Sequence, residues 1–215
     1  MSTAKKIPTS VYAEMTPNPA VMKFVADRAL IPGGLQVEYR SKKEATGSSP
    51  LAEELFNFPF VTNVFVSGTF VSVTKDDSLG WEMIMMQLRE YIREWLMENP
   101  EAVTEVSESL INRMDAPAAT AEDAGNAEEF ISTEAIEPSE LDDEIRFLLD
   151  EYVRPAVEQD GGAIDFTAFK DGKVYVKMRG ACSGCPSSMQ TLKGGIESLL
   201  TSKLPEVKEV VALAG

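Results

Sequence analysis

Two thiols, Cys182 and Cys185, stand three positions apart in a chain of 215 residues that has no other cysteine and no histidine. They lie in the run Gly180-Ala181-Cys182-Ser183-Gly184-Cys185-Pro186, so both can face one centre. A helix is expected directly after them, and its N-terminal amides and dipole favour thiolate over thiol. Lys177 and Arg179 add positive charge nearby, and Gly180 and Gly184 let the loop fold tightly with its amides exposed. Soft thiolates of this kind suit an iron–sulfur cluster, zinc or copper(I). A cluster takes about four protein thiolates, and one chain offers two. The remaining ligands must then come from a second chain, an exogenous thiol or a receiving protein. A site completed from outside is weakly held, which suits delivery better than permanent electron transfer. The same dithiol could carry out thiol–disulfide exchange. Against exchange, no tryptophan stands directly before Cys182 and no compact βαβ start is present. The plainest alternative is a zinc half-site or two idle thiols. The lack of histidine excludes Ser-His-Asp and Cys-His catalysis and any His-ligated metal site within one chain.

The elements that must position the pair follow from periodicity. Ser139 can cap a helix, with Asp142 completing a capping-box-like pair. That helix buries Leu141, Ile145, Leu148, Leu149, Tyr152 and Val153, and Arg154-Pro155 bends it before Asp160-Gly161-Gly162 ends it. Ile164 to Phe169 and Val174 to Met178 read as strands joined by a tight turn at Asp171-Gly172. Ser187 to Leu200 is an amphipathic helix and Val207 to Leu213 a last strand, giving the order α-β-β-α-β.

A second region precedes this one. Val11 to Met15 reads as a strand, Thr16-Pro17-Asn18-Pro19 as a turn, and Ala20 to Leu30 as a helix with a stripe of Val21, Phe24, Val25 and Ala29. Leu35 to Tyr39 is a strand, Ser49-Pro50 opens a short helix, and Val61 to Thr74 forms a hairpin. Gly80 to Glu98 is a helix; its Met83, Met85 and Met86 could form an adaptable binding surface, but they are expected to fill core space beside Trp81 and Trp95. Asn18 is read as a turn residue. The expected architecture is α+β or α/β: two small domains, 1–112 (ordered from about 10) and 139–215, each a small sheet packed against helices.

Between them, 113–138 is expected to be a flexible acidic linker. The span Glu101 to Glu144 holds 14 acidic residues and one basic residue, and so carries most of the net charge of −15. Its composition cannot bury enough apolar surface to offset ordering entropy. The acidic balance argues against nucleic acid as a partner. No apolar stretch approaches the roughly 20 residues of a membrane helix. With no apolar leader after Lys5-Lys6 and too few cysteines for a disulfide scaffold, the expected compartment is cytoplasmic.

Arg154-Pro155, Asp160-Gly161-Gly162 and Met178-Arg179-Gly180-Ala181-Cys182-Ser183-Gly184-Cys185-Pro186-Ser187-Ser188 resemble the C-terminal domain of NifU and the Nfu iron–sulfur carriers. Thr191, Leu192, Gly195-Ile196-Glu197 and the Val207 to Val211 strand continue the likeness. Thr16-Pro17-Asn18-Pro19 and the Phe65 to Lys75 hairpin are similar to the Nfu N-terminal domain. The resemblance implies a non-enzymatic scaffold or carrier. It implies a [4Fe-4S] cluster, with [2Fe-2S] as the other form, held by Cys182 and Cys185 of two protomers in a cluster-bridged homodimer. It also implies an upstream scaffold as donor and apo iron–sulfur proteins as clients. The cysteine-free first region is expected to recognise those clients.

Overall fold

The computed structural model describes residues 6–31, 35–99, 101–106, 139–183 and 186–213, without the side chains of 186–188. The expected acidic linker, 113–138, and Cys185 lie outside the described residues.

In the first region β1 (Val11–Met15), β2 (Val21–Ala26), β3 (Gln36–Tyr39), β4 (Val61–Ser67) and β5 (Phe70–Lys75) form one antiparallel sheet in the order β1-β2-β5-β4-β3. Helices α1 (Lys42–Ala45), α2 (Pro50–Leu55) and α3 (Trp81–Glu98) accompany it. Ile84, Leu88, Ile92 and Leu96 recur at helical spacing on α3 and are buried in one core with Phe24, Val64, Val66, Val71 and Val73 of the sheet. Met83 and Met86 stay outside that core, 65% and 56% exposed, which corrects the expected core role; Met85 is partly packed. Their positions on α3 fall off the Ile84-Leu88-Ile92 stripe, and the helix has only one buried face.

Ser49 illustrates how the chain starts a helix in a buried place. Its Oγ accepts from the Ala52 amide at 3.1 Å and donates to the Ala102 carbonyl at 2.6 Å, with Pro50 in the first turn. Ser49→Ala removes both bonds in a fully buried setting. It is expected to lower unfolding free energy by about 1–2 kcal/mol in urea titration.

The expected helix at 20–30 is a strand. Val21, Met22, Lys23 and Phe24 are all buried, so the alternation that marks a strand is hidden. Both faces of β2 are covered: Met22, Phe24 and Ala26 face the α3 core, while Val25 packs with Phe65, Phe70 and Ala163. A strand buried on both sides reads as a continuous apolar run, which helical spacing also fits.

The second region comprises α4 (Asp142–Leu148), a π-helical turn (Leu149–Val153), α5 (Arg154–Gln159), β6 (Gly162–Lys170), β7 (Lys173–Gly180), α6 (Pro186–Lys203) and β8 (Glu209–Leu213). The expected order α-β-β-α-β is present. β6 and β7 pair antiparallel through Asp171 and Gly172 at φ +53° and +84°, and β8 pairs parallel to β7 after the α6 crossover. The π-helical turn precedes Pro155, whose missing amide cannot continue the regular ladder. The capping box expected of Ser139 and Asp142 is not formed. Ser139 Oγ accepts from the Leu141 amide at 3.2 Å, and Asp142 Oδ1 has no partner among the described residues.

The two sheets pack against each other. Phe65 and Phe70 of the first sheet cluster with Ala163 of the second. Around them Ser72 Oγ donates to the Gly161 carbonyl at 2.7 Å, Lys23 Nζ to the Gln159 carbonyl at 3.0 Å, and Gln36 Nε2 to Glu158 at 3.0 Å. The layers therefore run helix, sheet, sheet, helix, and the first region touches the second rather than merely being tethered to it.

Candidate functional site

The loop that carries Cys182 starts where β7 ends. Gly180 adopts φ +62°, a left-handed angle that glycine takes without strain. The Ala181 amide donates to the Gly161 carbonyl at 3.2 Å, and the Ser183 amide and hydroxyl both return to the Gly180 carbonyl, at 3.2 and 2.9 Å. Helix α6 opens at Pro186, directly after the second cysteine position. Cys182 is thus placed by the structure, while Cys185 is not among the described residues.

Cys182 is buried, 6% exposed, in the core formed by Ile145, Leu149, Val157, Met178 and Ile196. Gly162 makes room for it: a Cβ there would lie 2.6 Å from Cys182 Sγ. Burial, and secondarily the Asp160 carboxylate, push the thiol from its ordinary 9.0 up to about 12. This corrects the expectation of an activated thiolate. Lys177 and Arg179 do not help, because alternation along β7 sends Met178 to the core and its two neighbours to the opposite face. There Arg179 pairs with Asp165 and donates to the Gln36 carbonyl at 3.4 Å. Burial, then Arg179 and Arg40, push the Lys177 ammonium below its ordinary value.

The sign of the pH effect follows. The folded thiol titrates above the unfolded one, so its contribution to stability is whole below pH 9 and is lost as pH rises towards 12. In a Cys185→Ser background, alkylation of Cys182 is expected to keep accelerating with pH beyond 9, without a plateau. A plateau near pH 8–9 would instead mark an open, ordinary thiol.

A cleft of about 510 Å³ opens beside the thiol. Tyr152, Ala156, Leu192 and Ile196 give it apolar walls, Cys182 sits in its lining, and Pro17 reaches it from the first region. Among the described residues, no three His, Cys, Asp or Glu side chains gather to hold a metal ion. No helix among them is long and apolar enough to cross a membrane.

Three residues that spacing alone did not single out act on the loop. Asn18 does hold its turn, its Oδ1 accepting from the Ala20 amide at 3.0 Å, but its Nδ2 also donates to the Ser183 carbonyl at 3.2 Å. Glu38 accepts from the Gly180 amide at 3.0 Å. Ser72 reaches the Gly161 carbonyl to which the loop is bonded. The only sequence signal for Glu38 and Ser72 was a polar residue at a strand position that one-sided burial would leave to solvent, and Asn18 gave only its turn signal.

Comparison with known proteins covers both regions. The family described as NifU-like domain matches residues 145–211, and that described as Scaffold protein Nfu/NifU N terminal matches 11–99. The human protein named "NFU1 iron-sulfur cluster scaffold homolog, mitochondrial" is 34% identical over 209 residues, covering 93% of this chain and 70% of its own length. The Arabidopsis thaliana "NifU-like protein 4, mitochondrial" is 32% identical over 202 residues, covering 93% of this chain and 64% of its own. The chain therefore spans roughly two thirds of the length of these relatives. A solved NifU-like protein from Saccharomyces cerevisiae superposes on 49% of this chain and 92% of its own, at TM-score 0.41 and 20% identity. The cytoplasmic expectation does not stand. The relatives the chain matches are named mitochondrial. Free thiols are compatible with either reducing interior, so cysteine count could not separate the two.

Proposed function

The chain belongs to the Nfu family of iron–sulfur scaffold proteins, and from that premise we propose that it carries an iron–sulfur cluster between Cys182 and Cys185 of two protomers and delivers it to apo-proteins. The cluster is cargo, a [4Fe-4S] unit in this reading, rather than a resident cofactor. The observation that carries the reading is the pair of thiols at the start of α6 inside the NifU-like match, without a third ligand group among the described residues. Such a site needs a second set of ligands from outside the chain.

The buried, protonated Cys182 adds a condition. Its thiol must leave the core and lose a proton to ligate iron, so loading is coupled to movement of the 180–183 loop and to proton release. Iron–thiolate bonding supplies free energy for that step. Thiol–disulfide exchange has no such source, and a thiol held near 12 offers almost no nucleophile at neutral pH. With Cys182 as the attacking thiol in its buried position, the same observation weighs against the oxidoreductase reading.

The test is to isolate the full chain without oxygen and to count iron and sulfide. The expected product is coloured, with equal iron and sulfide and about two irons per chain, half of a four-iron cluster. Colourless protein that reduces disulfides would establish the oxidoreductase instead.

A further inference from the structure

The described part of the loop that must move to expose Cys182, 180–183, is held at its first and last residues by the other region. At its start, the Gly180 amide is bonded to Glu38 and the glycine lies against Phe65, whose Cδ1 would be 2.9 Å from a Cβ at position 180. At its far described end, the Ser183 carbonyl accepts from Asn18. The turn before β6 is held too: the Gly161 carbonyl takes both the loop's Ala181 amide and the Ser72 hydroxyl. Glu38, Asn18 and Ser72 all come from the first sheet or its turns.

We propose that the docked first region is a clamp on the Cys182 loop, with Asn18 and Glu38 as its positioning residues, and that the two regions must part before the thiol can leave the core. Docking and thiol exposure are then alternatives: whatever stabilises one opposes the other by the same free energy. The clamp concerns the thiol whatever its final partner. Its bearing on cluster loading rests on the carrier reading.

Thiol reactivity tests the clamp without a cluster, so its failure is separable from failure of the carrier reading. The full chain carrying Cys185→Ser has Cys182 as its sole thiol. In that background, Asn18→Ala with Glu38→Ala removes both end contacts. The rate of reaction with Ellman's reagent is expected to rise on the order of tenfold, the ratio that two lost hydrogen bonds set. A second variant acts by bulk instead. Ser72→Arg fills the inter-sheet space from a side chain that faces away from the α3 core, and it should raise the rate at least as much. Far-UV circular dichroism must stay native-like for a variant to count, and Ser72→Arg decides the matter if the double variant loses its fold. An unchanged rate in a folded variant overturns the clamp. Reaction as fast as that of a free thiol in the unmodified Cys185→Ser chain overturns it equally.

Discussion

A chain carrying Cys182→Ala is expected to lose its cluster completely and to keep its fold, whereas Cys182→Ser should lose the cluster and also about 1–3 kcal/mol of stability. The difference comes from burial. Cys182 behaves as a small apolar side chain inside the α4–α6 core, and serine would set a hydroxyl there without an assured partner. Alanine leaves only a small void against Gly162. Cluster absorbance after anaerobic reconstitution and urea midpoints of the apo-proteins read the two effects separately. Cluster absorbance retained in Cys182→Ala would remove the residue from the ligand set. A serine variant as stable as the unmodified chain would contradict the buried position.

Gly180→Val should cost about 3 kcal/mol and separate the two sheets. Position 180 sits at φ +62°, where a branched side chain is strained by roughly 1–2 kcal/mol. The new Cβ would stand 2.8 Å from the Gly161 carbonyl oxygen and 2.9 Å from Phe65. One neighbour is backbone and the other a fully buried ring, so neither can yield cheaply. Gly194, in the exposed middle of α6, makes the contrast: a Cβ there meets nothing within 4 Å. Gly194→Ala is expected to raise stability by about 0.5–1 kcal/mol. Thermal unfolding of the two variants should move in opposite directions, and a neutral Gly180→Val would show that the loop is not packed as described.

Local signals were legible where one rule dominated. Asp171-Gly172 demanded a tight hairpin, and positive φ at both residues delivers it. The apolar spacing of Ile84, Leu88 and Ile92 marked α3 directly. Several of the failures share one cause, which is the packing of the two sheets. It buries the second face of β2 and so erases the alternation of Val21 to Ala26. It engages Arg179 through the Gln36 carbonyl on the face to which the pleat of β7 turns Lys177 and Arg179, away from the thiol they were expected to activate. It also recruits Asn18 and Glu38 to the loop, and Ser72 to the Gly161 carbonyl beside it, across 165, 142 and 89 residues of sequence. No local pattern encodes such contacts. The likeness of the Cys182 to Cys185 run to a known family was legible, but the burial of Cys182 depends on Gly162 and the α4–α6 core around it.

Native mass spectrometry of the full chain, reconstituted without oxygen and without added small thiols, tests the central claim most directly. The account predicts a species of two chains and one four-iron, four-sulfide cluster, with apo-protein as the other state and no cluster in Cys182→Ala. A single chain retaining a complete cluster under those conditions would contradict it.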